Sequence, residues 1–304
     1  LVSSLFPQCA YSAGVEKGGT TIVPVQPKHP TELKSVDRFS CSHIIPSTHI
    51  STYAVRTGPS NVQLDFRHGN RDKDVLVREL FWAVYRICAA VPHGVVLFFT
   101  SYAYMECVVA AWKRMLLTPQ LGAIKHICVE QRKVTPVDCN SKSISDSTDA
   151  WAKYCNCIQE STNHPSSKGA ILLSVMGGKL SEGINFSDDL ARAVVIVGMP
   201  YPDLSDPVLK EKLSFADRIK KSNSRVIYEG MCMKSVNQSI GRAIRHIGDH
   251  ASVVLLDHRY TLPRVKCQLP SWILKSTNND REIFHSFTSF QDTISDINSF
   301  FAKK

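Results

Sequence analysis

Apolar residues follow helical and strand spacings along most of the chain beyond residue 75. Between residues 75 and 91 they have the spacing of one helical face, at Leu76, Leu80, Val84 and Ile87. Val95–Phe99 is a continuous apolar run, which is typical of a parallel strand buried on both faces. The same pattern predicts helices over residues 102–115, 150–160, 207–221 and 229–245, and strands over 123–129, 170–176, 193–197 and 252–256.

Strands that alternate with helices predict an α/β fold, in which a parallel sheet has helices on both faces. In such sheets ligands bind beyond the carboxyl ends of the strands. Functional residues are therefore expected in the loops that follow residues 99, 176, 197 and 256.

Both ends of the chain differ from this regular middle. Residues 1–40 have no clear period and mix Gly, Pro, Ser and Thr, which predicts a poorly ordered remnant or linker. Residues 41–275 are predicted to form the main domain, with short β-like pieces at Ile44–Ile45 and Val62–Phe66. Residues 276–304 are predicted to form a C-terminal helical tail. The chain does not begin with Met, which favours a fragment of a longer protein.

A glycine-rich segment, residues 177–186, directly follows one of the predicted strands. Glycine allows a backbone to approach a phosphate or a sugar closely. A phosphate-binding P-loop requires Gly-x-x-x-x-Gly-Lys followed by Ser or Thr, whereas Leu180 follows Lys179 here. A glycine-rich turn that binds nothing is the alternative, and the segment alone is consistent with either.

Four residues near the end of the last predicted helix have the spacing i, i+3, i+4 and i+7, and they are Gln238, Gly241, Arg242 and Arg245. This spacing predicts that all four lie on one helical face. Two guanidinium groups and an amide, with a glycine that leaves room between them, suit a multiply charged phosphate. The alternative is that both arginines are simply solvated.

The strand at Val95–Phe99 is followed by Thr100, Ser101 and Tyr102. Hydroxyl groups beside an aromatic ring can hold a nucleic-acid backbone. Core aromatic residues followed by a Ser or Thr helix cap explain the segment equally well.

The chain has a net charge of +9 and a pI near 9.0, which is compatible with a polyanionic partner such as nucleic acid. No apolar run reaches the roughly 20 residues needed to span a bilayer, so no membrane association is expected. The ten cysteines include no Cys-x-x-Cys pair, which favours reduced structural thiols. No cluster of His and Cys has the spacing of metal ligands, and no metal site is predicted.

In sequence order, these segments resemble motifs IV, V and VI of the XPD-like, iron–sulfur group of superfamily-two DNA helicases. The resemblance covers about residues 39–275 and rests on the segments at 98–102, 177–188, 194–202, 236–246 and 252–260. Within this group, Asn185 and the stretch Phe39–Pro46 resemble the chromosome-loss branch. The resemblance implies that the chain is the RecA-like C-terminal lobe of a two-lobed, ATP-dependent motor that moves 5′ to 3′ on single-stranded or forked DNA.

The resemblance also implies roles for individual residues. Arg245 is implied to be the arginine finger that reaches the γ-phosphate, with support from Arg242 and Gln238. The residues implied to couple the nucleotide to DNA are Gly178, Glu182, Gly183, Asn185 and Gly241. The residues implied to contact DNA are Ser101, Tyr102 and Lys179. Thr100 departs from the family pattern, in which a Pro is common, and this weakens the implied DNA contact there.

The chain contains neither a Walker A motif nor an Asp-Glu dipeptide, so no DEAH box is present to hold Mg²⁺. ATP and Mg²⁺ are therefore expected to be shared with an N-terminal lobe outside this sequence, and the [4Fe–4S] cluster of the family belongs to that lobe as well. The resemblance implies a nuclear protein of DNA repair and sister-chromatid cohesion, with cohesion or replication factors as partners. The alternative is a truncated, catalytically inactive fragment that binds DNA or protein.

Overall fold

A computed structural model describes residues 45–132, 146–164, 167–180, 184–219, 223–274 and 282–304. Its seven strands form one parallel sheet in the order β3-β4-β2-β5-β6-β1-β7. The strands are β1 Ile50–Val55, β2 Val95–Phe99, β3 His126–Val129, β4 Ala170–Val175, β5 Ala193–Val197, β6 Ala251–Leu256 and β7 Phe284–His285. The prediction of an α/β fold with a RecA-like parallel sheet is confirmed.

Helices cover both faces of this sheet, and each face has its own buried apolar cluster. The longer helices are α1 Asp74–Ala90, α2 Tyr102–Arg114, α3 Thr118–Ile124, α4 Asp146–Asn163, α5 Pro207–Ile219, α6 Asn223–Ile240 and α9 Phe290–Phe301. The short helices are α7 Pro263–Lys266 and α8 Ser271–Leu274. Among the described residues, none of the helices combines the length and the apolar character that a bilayer crossing requires.

Strand β1 lies between β6 and β7, although the sequence pattern did not predict a strand over Ile50–Val55. Ser51 and Thr52 interrupt its apolar run, yet both are fully buried. The Ser51 hydroxyl donates a hydrogen bond to the Tyr53 hydroxyl at 2.7 Å, which compensates its burial. The strands that pair with β1 come from distant parts of the sequence. The predicted β-like piece at Val62–Phe66 contains a single antiparallel bridge, between Thr57 and Gln63.

Other predicted elements also differ from the structure. The helix predicted over residues 150–160 is longer and extends over Asp146–Asn163. The strand predicted over residues 123–129 is shorter, because α3 occupies the chain up to Ile124. The C-terminal helical tail contains α9, whose Ile294 and Ile297 pack into the core, but it also contributes β7 to the sheet. The predictions for residues 1–40 and for Ile44 fall outside the described residues. The division of the chain at residues 40 and 275 stays a prediction.

A buried lysine at the amino end of β3 makes stability depend on pH. The Nζ atom of Lys125 donates a hydrogen bond to the His93 carbonyl oxygen at 2.7 Å, and burial lowers the pKa of Lys125 from 10.5 to about 8. Between these two pH values the unfolded chain binds a proton that the folded chain does not bind. The free energy of unfolding should therefore rise with pH across this window.

We expect Lys125→Met to remove this rise, so that the wild type gains on the order of 3 kcal/mol over the variant between about pH 8 and 10.5. Urea unfolding of both chains at several pH values measures the difference. The buried thiols are present in both chains, and the pKa of Cys88, which interacts with Lys125 and which burial raises to about 12, lies above this window in the folded chain. Parallel stability curves for the two chains would refute the prediction.

Candidate nucleotide and nucleic-acid site

Ser101 and Tyr102 lie where β2 ends and α2 begins. The Ser101 side chain caps α2, because its Oγ accepts a hydrogen bond from the Tyr104 amide at 3.2 Å. The Tyr102 hydroxyl donates to Glu130 Oε1 at 2.8 Å and accepts a hydrogen bond from the Lys179 amide. Both hydroxyls therefore have partners within the protein, and each residue keeps only part of its surface for solvent.

Glu130 is the first residue after β3, and no motif in the sequence marks it. Its carboxylate is buried and accepts four hydrogen bonds. The four donors are the Tyr102 hydroxyl at 2.8 Å, the Ser174 hydroxyl at 2.6 Å, the Val175 amide at 3.1 Å and the Leu180 amide at 3.1 Å. The position after a strand was its only sequence signal, and that strand lies at the edge of the sheet.

The glycine-rich segment turns sharply after β4. Gly177 has a φ of +72°, a conformation that favours glycine. At Gly178, a Cβ atom would stand 2.8 Å from the Tyr102 hydroxyl oxygen and 2.9 Å from the Val175 carbonyl oxygen. The glycine therefore allows the segment to lie against Tyr102 and Glu130, while the Lys179 side chain is exposed. The predicted coupling residues Glu182 and Gly183 lie outside the described residues.

Burial and the neighbouring Glu130 carboxylate also change the pKa of the Tyr102 phenol. Burial, followed by the hydrogen bond and the negative charge of Glu130, raises the pKa of Tyr102 to about 12. The hydroxyl therefore remains protonated at neutral pH and donates a hydrogen bond to the carboxylate.

The predicted helix over residues 229–245 is wrong at both ends, because α6 begins at Asn223 and ends at Ile240. Gly241 weakens the helix at this point, since it has the largest conformational entropy to lose. The amide of Arg242 then bonds to the Ser239 carbonyl oxygen, three residues back, in a tight turn. Gln238 lies in the helix, but the other three residues do not share its helical face.

The two arginines nevertheless lie close to each other in the segment after α6. Partial burial and the positive charge of Arg242 lower the pKa of Arg245. Arg242 is half-buried, and its Nη1 lies 3.4 Å from the Ile184 carbonyl oxygen. Arg245 is exposed, as are Gln238 and Asn185. Within the described residues the guanidinium of Arg245 forms no ion pair, so it is available to an anion from outside.

A buried carboxylate holds the backbone of this segment. Asp249 Oδ2 accepts a hydrogen bond from the Arg245 amide at 3.2 Å, and Asp249 Oδ1 lies 3.0 Å from Arg192 Nη1. Arg192 is also fixed by Asp189, at 2.9 Å. Because Arg192 and His250 immediately precede β5 and β6, the arginines lie near the amino ends of these strands. Ser101, Tyr102 and Gly178 lie at the opposite, carboxyl edge, where the predicted site residues were expected.

Asp188, His246 and Asp249 place one potential ligand atom each within 4.8 Å of one another. Asp249 does not suit a metal ion, because Arg192 and the amides of Arg245 and His250 already bind its carboxylate oxygens. Among the described residues, no group of cysteines lies close enough together to hold an iron–sulfur cluster, which requires thiolates. Burial raises the pKa values of Cys128, Cys155 and Cys157, and this favours their protonated thiols.

Residues 84–276 match the family described as the helicase C-terminal domain. The chain is 39% identical over 272 residues to the ATP-dependent DNA helicase DDX11 of Danio rerio, and the alignment covers 88% of this chain and 29% of that protein. It is 42% identical over 250 residues to DDX11 of Mus musculus, covering 80% of this chain and 26% of the mouse protein. The chain thus spans less than a third of the length of these curated relatives.

The fungal ATP-dependent DNA helicase CHL1 of Scheffersomyces stipitis is 39% identical over 254 residues, covering 80% of this chain and 28% of that protein. An apo structure of XPD matches with a TM-score of 0.50 and 24% identity, covering 78% of this chain and 40% of that chain. The structural match shows a common fold. Together with the family match, the sequence relatives confirm the resemblance to the XPD-like group and to its chromosome-loss branch.

Proposed function

We propose, since the chain belongs to the helicase C-terminal domain family, that it forms the second motor lobe of an ATP-dependent DNA helicase. The observation that carries this proposal is the exposed guanidinium of Arg245, which lies beside Arg242 while buried Asp249 holds its backbone. An exposed positive charge on a backbone that is held in place suits the oxygens of a transferring phosphoryl group. The relatives that the chain matches are named ATP-dependent DNA helicases, which supports the same function.

In this proposal Arg245 is the arginine finger, and Arg242 and Gln238 support it. Bound ATP with Mg²⁺ supplies the phosphoryl group that is transferred to water, and the chain lacks the Walker A and DEAH motifs that would hold them. A second, N-terminal lobe is therefore required. Gly178, Asn185 and Gly241, together with Glu182 and Gly183, couple the nucleotide to DNA. The segments at Ser101, Tyr102 and Lys179 form part of the single-stranded DNA track, along which the complete motor moves 5′ to 3′.

We extend the proposal to the cellular setting that the resemblance implies. A helicase of this branch acts in the nucleus, in DNA repair and sister-chromatid cohesion, with cohesion or replication factors as partners. Nuclear co-purification of the tagged protein with chromatin tests this part independently of the enzymology. Exclusion of the protein from the nucleus would overturn it.

DNA-stimulated ATP hydrolysis by the purified 304-residue chain tests the division of labour between the lobes. We expect no turnover above background with the chain alone, and turnover when an N-terminal lobe with Walker A and DEAH motifs is supplied. If the chain alone hydrolyses ATP and Arg245→Ala abolishes that hydrolysis, the chain itself contains a complete nucleotide site. Failure of an active N-terminal lobe to gain activity from this chain would contradict the proposed motor function.

DNA binding by the chain should weaken steeply with salt, because contacts with phosphates release condensed counterions. We expect the affinity for a single-stranded oligonucleotide to fall by about tenfold or more between about 50 and 200 mM salt. Fluorescence anisotropy at four or more salt concentrations gives the slope. An affinity that does not change with salt would contradict a track that binds mainly phosphate.

A further inference from the structure

Glu130 connects the predicted DNA-contacting segment to the glycine-rich segment. Its four hydrogen-bond donors come from three separate parts of the chain: Tyr102 in α2, Ser174 and Val175 in β4, and Leu180 after the glycine turn. A carboxylate only accepts hydrogen bonds, and four donors saturate the positions that its two oxygens offer. The group is thus fully bonded although its residue is only 2% exposed.

A buried carboxylate costs free energy, which hydrogen bonds must offset. A merely structural connection between β3 and β4 already exists in the strand pairing of Cys128 with Leu172 and of Val129 with Leu173. Glu130 adds hydrogen bonds that the strand pairing does not provide. Its carboxylate binds Tyr102 and Leu180, which lie beyond the ends of β2 and β4. Hydrogen bonds to an ionised acceptor are stronger than neutral ones, which suits a group that fixes a backbone segment.

Tyr102 completes this connection from the other side. Its hydroxyl donates to Glu130 and accepts from the Lys179 amide, so the backbones of Lys179 and Leu180 are both held. The absence of a Cβ atom at Gly178 permits this approach. The Lys179 side chain meanwhile extends into solvent at the carboxyl edge of the sheet.

We propose that Glu130 is a positioning residue that holds the glycine-rich segment, through Leu180 and Tyr102, so that Lys179 is presented to the DNA backbone. This inference rests on the proposed function for its DNA-binding part. It also assigns Tyr102 a different role, since its hydroxyl positions Lys179 and does not itself bind a phosphate. Lys179 is then the residue of this segment that contacts DNA.

Two measurements on the full 304-residue chain test the proposal separately. Hydrogen exchange of the Leu180 amide reports on the loop, and the Kd for an oligo-dT strand at low salt reports on DNA binding. The variants are Glu130→Gln, Tyr102→Phe, Lys179→Ala and the double variant Glu130→Gln/Lys179→Ala. Glu160→Gln is the matched control, because Glu160 is an exposed residue of α4.

We expect exchange of the Leu180 amide to become about tenfold faster in Glu130→Gln, because one carboxylate acceptor is replaced by an amide. Lys179→Ala should leave that exchange unchanged. Glu130→Gln and Lys179→Ala should each raise the Kd for the oligo-dT strand about five- to tenfold. The double variant should have nearly the same Kd as Lys179→Ala, because the position of the segment no longer affects DNA binding once Lys179 is absent. Tyr102→Phe should act in the same direction as Glu130→Gln.

The two readouts separate the possible failures. Unchanged Leu180 exchange in Glu130→Gln would overturn the positioning role whatever the DNA results are. Glu130→Gln could instead show faster Leu180 exchange with an unchanged Kd, while Lys179→Ala still weakens DNA binding. That result would overturn the link between the glycine-rich segment and DNA but leave the proposed function intact. Absence of DNA binding by the wild-type chain at low salt would overturn both the DNA track in this lobe and this inference.

Discussion

Replacing Arg245 by alanine in a complete helicase that contains this lobe should lower kcat for DNA-stimulated ATP hydrolysis by about 10³-fold or more. The reason is that a positioned guanidinium stabilises the charge that spreads over the phosphoryl oxygens in the transition state. The affinity for single-stranded DNA should change by less than about twofold, because Arg245 lies near the amino ends of β5 and β6, away from Ser101 and Lys179. Steady-state kinetics and DNA anisotropy on the same preparation measure both effects.

Arg245→Lys should also lose most of the activity, because an ammonium cannot reproduce the paired N–H geometry of a guanidinium. Arg218→Ala is the matched control, since Arg218 is an exposed arginine of α5 that forms an ion pair with exposed Glu211, at 2.6 Å, and lies 5.6 Å from the centroid of the Phe215 ring. This control should retain turnover within about twofold. Unchanged turnover in Arg245→Ala would refute the arginine-finger assignment, and loss of turnover in Arg218→Ala would show that the effect is not specific.

Replacing Asp257 by alanine should destabilise the chain by about 3–5 kcal/mol. Asp257 is fully buried at the end of β6, and its two carboxylate oxygens accept hydrogen bonds from Arg259 Nε at 2.8 Å and Arg259 Nη2 at 2.7 Å. The Phe66 amide donates to the same carboxylate at 3.3 Å. Removal of the carboxylate leaves the guanidinium of Arg259 buried without its counter-charge. Urea unfolding of the purified chain at pH 7 measures the loss.

Two further variants test the cause of this loss. Asp257→Ala/Arg259→Met should recover part of the stability, because no uncompensated charge remains buried. Asp74→Ala removes a comparable ion pair at the surface, where Arg114 Nη2 lies 2.6 Å from Asp74 Oδ1 and both side chains are more than half exposed. That variant should cost less than about 1 kcal/mol. Equal effects of Asp257→Ala and Asp74→Ala would contradict the importance of burial.

The strands with continuous apolar runs were predicted to the residue, as β2 and β5 show. A run of five consecutive apolar residues between turn residues indicates a strand that is covered on both faces, because burial then removes all five side chains from water. The alternation of these strands with periodic helices was sufficient for the α/β class. The arginines, the glycine-rich segment and the Ser101–Tyr102 pair were also recognisable from residue type and spacing.

The arrangement of these residues was decided by the tertiary structure. Strand β1 forms because it pairs with β6 and β7, and neither neighbour is near in sequence. The helix α6 ends before the arginines because Gly241 weakens it, and Asp249, which distant Arg192 binds, accepts the Arg245 amide. The spacing of apolar residues contains no information on contacts with other segments, and it therefore could not predict where this helix ends.

Glu130 shows the same limit for function. Apart from its position after an edge strand, Glu130 carries no local signal, and only the folded chain brings Tyr102, Ser174 and Leu180 to its carboxylate. The amino-acid sequence by itself determined which chemical groups the lobe offers, because hydropathy and residue type are local properties. The tertiary structure decided which groups meet, which are held and which remain exposed, because those outcomes depend on contacts between distant segments.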